Sequence, residues 1–185
     1  MAADLRAGDA FCLKGDAGGG KSTWARAFIR SAAQDQGLAV APPPQGLRPN
    51  EYSGHGLVEP AEFGELPILH YDVGNLSRPS DADCEVIAGT FPRSVSVIEW
   101  AENLREWGAA PEQRLAIYFR RLPSQPDADV RLVTVMPHTG AWEVRVGLLQ
   151  ANLAISGPPA GLMMLSDDMA AQLTAGMPEC LAFAT

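Results

Sequence analysis

The chain has 185 residues, 46% of them hydrophobic, and a formal net charge of −8 with a pI near 4.8. That size and apolar fraction suit one soluble globular domain with a single substantial core. The acidity argues against direct contact with DNA or RNA, and no run approaches the roughly 18 apolar residues that span a bilayer.

Met1–Arg6 lacks the apolar core of a secretion signal. The expected location is therefore the cytoplasm, or an organellar stroma or matrix if a transit peptide has been removed. Cys12, Cys84 and Cys180 are odd in number and form no C-x-x-C pair, so they read as reduced thiols rather than a metal site.

The first element is a short apolar strand, Ala10–Leu13. It feeds Gly15-Asp16-Ala17-Gly18-Gly19-Gly20-Lys21-Ser22, which reads G-x-x-x-x-G-K-S, the phosphate-binding P-loop. A helix over 22–33 follows, with Trp24, Ala27, Phe28 and Ser31 expected near one face. Strand, glycine-rich turn and helix N-terminus together aim backbone N–H groups at phosphate oxygens. Lys21 is expected to reach the β- and γ-phosphates, and the Ser22 hydroxyl to be a Mg²⁺ ligand. The chain holds only two lysines among its 14 basic residues, and the P-loop position keeps one of them.

Residues 34–66 are broken by prolines and glycines and read as a long irregular loop. The apolar run Leu66–Tyr71 ends at Asp72, and a helix is expected near 80–83 with Ser80 as its cap. Ser94–Ile98 reads as a buried strand ending at Glu99-Trp100. Three further strands are predicted at 114–120, 130–135 and 142–148; the turn-rich linkers between them suggest antiparallel pairing. A short helix over 166–174 closes the chain. The implied fold is α/β, a P-loop three-layer sandwich with a partly parallel sheet and an antiparallel extension. The P-loop domain takes 1–150, and 151–185 form a C-terminal extension.

Asp72 and Glu99 each end an apolar strand, the edge at which open α/β sheets bind ligands. A carboxylate there holds Mg²⁺ or orients the attacking water, so both are candidate catalytic residues, and Glu99 with Ser22 is the candidate metal pair. His70 shares a strand face with Asp72 and reads as structural. Trp100 reads equally as a stacking partner for adenine or as core.

Three segments resemble, in order and spacing, the TsaE (YjeE) family: Gly8–Thr23 with its P-loop, Leu66–Leu76 with His70-Tyr71-Asp72, and Val97–Leu104 with Ile98-Glu99-Trp100. The family pattern is a G-D-L-G-A-G-K-[ST]-[ST] loop, then H-x-D-L-Y-R-[LI], then I-E-W; the resemblance covers about residues 7–148. It implies a small ATPase supporting threonylcarbamoyl modification of adenosine 37 in tRNA. ATP would lie on Gly15–Thr23, with Mg²⁺ at Ser22 and Glu99, Asp72 by the γ-phosphate and Trp100 close to the nucleotide. The implied partners are TsaB-like and TsaD-like proteins, with tRNA met only through them. On its own, such a subunit would be a poor ATPase.

Two departures stand out. The family's S-P-T-[FY]-x-L segment, which carries a switch threonine, aligns with Pro42–Leu47, where the hydroxyls are gone. The Tyr-Arg of its D-L-Y-R becomes Gly74-Asn75. A nucleotide-binding interaction module with impaired hydrolysis is therefore an alternative. A small-molecule P-loop kinase is another, disfavoured by the lack of an Arg-rich lid segment.

Overall fold

The computed structural model describes residues 5–53, 66–122 and 130–166. Six strands form one sheet: β1 (Ala10–Gly15), β2 (Asn50–Tyr52), β3 (Ile68–Asp72), β4 (Val95–Glu99), β5 (Arg114–Arg121) and β6 (Arg131–Pro137). Their order is β2-β3-β4-β1-β5-β6. β3, β4, β1 and β5 are mutually parallel, while β2 and β6 close the edges antiparallel. The central strands are apolar on both faces, as strands covered on both sides must be.

Helix α1 (Lys21–Ala32) covers one face and packs with Phe11, Leu13, Val95, Val97, Leu115 and Phe119. Helices α2 (Asp81–Ala88) and α3 (Glu102–Glu106) belong to the opposite layer, built on Cys12, Leu69, Tyr71, Ile98, Leu104 and Trp107. Period-two alternation divides β1 between the layers: Phe11 and Leu13 face α1, and Cys12 faces the other side. The result is the expected α/β sandwich. Ser80 caps α2 by accepting the Asp83 N–H at 3.2 Å.

Several expectations are corrected. The buried face of α1 is Lys21, Ala25, Phe28, Ile29 and Ala32, while Ala27 and Ser31 are exposed. Residues 34–53 contain β2, paired with β3. The strand at 114–121 is antiparallel to β6 only and runs parallel to β1. Most plainly, 142–148 is no strand: it lies in helix α4 (Gly140–Ser156). Trp142 and Val146 are buried one helical turn apart, whereas Val144, which a strand would place beside them, is 65% exposed. The helix expected at 166–174 falls beyond Ser166, outside the described residues.

The chain divides into two units, residues 1–146 and 147–185. In the first, α4 begins with Trp142 edge-on to Phe11 at 5.1 Å. Arg145 lies over Trp142 at 3.9 Å and donates to both Asp9 oxygens, at 2.7 and 2.9 Å. The described part of the second comprises the rest of α4 and the stretch 157–166, with no charged residue from 147 to 166. Among the described residues no helix is long and apolar enough to cross a membrane.

Candidate functional site

The loop at 15–22 is built from β1 and β5 together. Gly15 has φ +105, and a Cβ there would run into the Phe119 carbonyl of β5; only glycine lets the two strands stay in register at this point. That carbonyl accepts the Asp16 N–H at 3.1 Å, and the Asp16 carboxylate accepts the Arg121 N–H at 3.1 Å. The Gly19 N–H closes the turn on the Asp16 carbonyl. Gly20 then caps α1, leaving its first amides without an intrahelical partner.

Lys21 is 4% exposed and folds back over this loop. Its ammonium donates to the Gly15 carbonyl at 2.7 Å and the Asp16 carbonyl at 2.8 Å, and lies 3.6 Å from the centre of the Trp100 ring. Burial lowers the lysine's pKa; Glu102, Glu99, Asp16 and Asp72 act in the opposite sense. Trp100 reaches this position from φ +61 at the end of β4. The absence of a side chain at Gly74 makes room, since a Cβ there would stand 2.5 Å from the indole Cδ1.

Glu99 and Asp72 are register partners at the C-terminal ends of β4 and β3. Glu99 is 2% exposed and engages two groups: its Oε2 accepts the Ser22 hydroxyl at 2.5 Å, and its Oε1 is 2.9 Å from His70 Nε2. Asp72 turns elsewhere. Its Oδ1 accepts the Gly74 N–H at 2.9 Å, and its carbonyl accepts the Gly46 N–H at 3.0 Å. Thr23 is exposed and accepts a long contact from Arg26, at 3.4 Å. Ala17 and Gly18 form the exposed tip of the loop.

The structure thus gathers Lys21, Ser22, Glu99 and Trp100 around one turn, with Asp72 beside them. Two residues stand out that the sequence reading did not assign to the site. His70 touches Glu99 directly. Arg121 lays its guanidinium over Gly18, where a Cβ would be 2.7 Å from a terminal nitrogen. The signal for Arg121 was its strand: once β5 is parallel to β1, its last residue must emerge at the P-loop edge.

A parallel-centred sheet with a glycine-rich turn between β1 and α1, and an acid on the neighbouring strand, defines a P-loop α/β domain. Residues 1–127 match the family model described as threonylcarbamoyl adenosine biosynthesis protein TsaE. The chain is 31% identical over 142 residues to the Streptomyces coelicolor protein named tRNA threonylcarbamoyladenosine biosynthesis protein TsaE, covering 75% of this chain and 86% of that one. In structure it resembles YdiB from Bacillus subtilis, with a TM-score of 0.54, 24% identity and 82% of each chain covered. The chain belongs to the TsaE family.

Proposed function

We propose that this chain is the ATP-binding subunit that supports threonylcarbamoyl modification of tRNA adenosine, hydrolysing ATP slowly and in dependence on TsaB-like and TsaD-like partners. The observation that carries the reading is the Ser22–Glu99 pair. A hydroxyl at the start of α1 and a buried carboxylate at the end of β4 meet within hydrogen-bond distance beside the P-loop lysine. These are the donor types that hold Mg²⁺ in P-loop proteins. The backbone turn and Lys21 suit a triphosphate, and Mg²⁺ would neutralise its terminal charge. The net charge of −8 favours meeting tRNA through a partner rather than directly. Family membership supports the pathway, and the cytoplasm or an organellar equivalent is the proposed setting.

A second reading, a nucleotide-binding module with impaired hydrolysis, draws on one observation. Pro42–Leu47 holds no hydroxyl where the family pattern has its switch threonine. Binding calorimetry with ATP and Mg²⁺, followed by single-turnover hydrolysis with and without a TsaB–TsaD pair, tests both. Lys21→Ala should weaken ATP binding by at least tenfold, a loss of roughly 1.4 kcal/mol or more, with the folded state verified by circular dichroism. An unchanged affinity sinks the nucleotide site. Partner stimulation absent in the parent, with binding intact, selects the second reading.

A further inference from the structure

His70 lies on β3 opposite Val97 of β4, two residues before the Asp72–Glu99 register pair. It therefore shares the α1 face of the sheet with Glu99, at a diagonal distance that a glutamate can bridge. Its side chain is 1% exposed, its Nε2 is 2.9 Å from Glu99 Oε1, and its Nδ1 has no hydrogen-bond partner among the described residues. The one hydrogen bond of the ring among the described residues is thus committed to a single carboxylate oxygen.

We infer that His70 is a positioning residue for Glu99 in metal-nucleotide binding, an inference that rests on the function proposed above. A carboxylate oxygen can only accept, so Nε2 is the donor of this pair. The His70 N–H occupies Oε1, fixes the carboxylate plane and leaves Oε2 aimed at the Ser22 hydroxyl. Without that donor, the Glu99 carboxylate loses its one hydrogen-bond partner besides Ser22 among the described residues and is free to rotate away from the hydroxyl. Carboxylates and imidazoles around metals depend on such outer hydrogen bonds, whose removal costs roughly 10–100-fold in metal affinity or activity.

The test is nucleotide affinity measured by calorimetry, with ADP in Mg²⁺ and with ADP in EDTA. In the parent, Mg²⁺ should tighten binding. His70→Phe, which keeps a ring but no donor, should lose roughly 10–100-fold of the Mg²⁺-linked gain while binding in EDTA stays unchanged. His70→Gln, whose amide nitrogen reaches the Nε2 position, should restore the gain. His70→Asn, too short to reach Glu99, should not, and it serves if the Phe variant does not fold. Retention of the full Mg²⁺ effect in both Phe and Asn variants overturns the inference, as does an equal loss with and without Mg²⁺, which marks a structural role. A parent that binds no ADP under either condition overturns the nucleotide-site reading itself.

Discussion

At the scale of single residues, the site depends on where the backbone forbids a side chain. Gly15 and Gly108 both sit at positive φ, +105 and +75, but only at Gly15 would a Cβ meet another strand. Gly108→Ala should therefore cost only the left-handed penalty, about 1–2 kcal/mol. Gly15→Ala should cost more and also weaken nucleotide binding, because β1 and β5 must part; urea denaturation of the two variants compares them. Equal losses would mean that the Phe119 carbonyl yields easily. Cys12 illustrates the opposite case, a side chain sealed in: burial pushes its thiol up to about 11. At pH 8 almost none of it is thiolate, so native Cys12 should resist alkylation and react only on unfolding. Fast labelling of Cys12 in the folded protein would show that the β1 layer opens.

At the scale of elements, much was legible and the misses share a cause. The P-loop, α1, β3 and β4 carry strong local signals: a glycine-lysine turn opening a helix, and apolar runs ending in acids. Orientation was harder to read. Nothing local in 114–121 distinguishes a strand that pairs parallel with β1 from one in a meander, and only the parallel pairing puts Arg121 beside the P-loop. The His70–Glu99 contact is hidden for a similar reason: the two lie 29 residues apart, and only the β3–β4 register brings them together. In 142–148, alternation of Trp142, Val144 and Val146 imitates a strand, whereas the neighbouring leucines and alanines through 154 favour helix. The two arrangements make different demands on one residue. Trp142→Ala should cost about 3–5 kcal/mol, by opening a cavity against Phe11. Val144→Ala should stay within about 0.5 kcal/mol, as exposed positions do. A large loss at Val144 would restore the strand.

At the scale of the whole molecule, coupling between nucleotide and partners needs a segment that differs between ATP and ADP states. The stretch that would serve is already fastened to the sheet edge. Gln45 bridges to Asp72 and the Gly46 N–H bonds its carbonyl, while Asn50 donates to the Ala41 and Pro42 carbonyls at 3.2 and 3.1 Å. Tyr52 adds a bond to Ala41 at 3.2 Å. Pro42, Pro43 and Pro44 have neither a hydroxyl nor a backbone N–H to give a γ-phosphate. A ligand that makes no new contact with this stretch cannot shift it. Hydrogen exchange across residues 40–53 should therefore be nearly the same with ADP and with a non-hydrolysable ATP analogue. Turnover should stay slow even with partners bound, because nothing in that stretch orders in response to the terminal phosphate. Strong protection by the ATP analogue alone would show that another group in the segment, such as Arg48 or Tyr52, has taken over the sensing of the γ-phosphate, and the impaired-hydrolysis reading would lose its support.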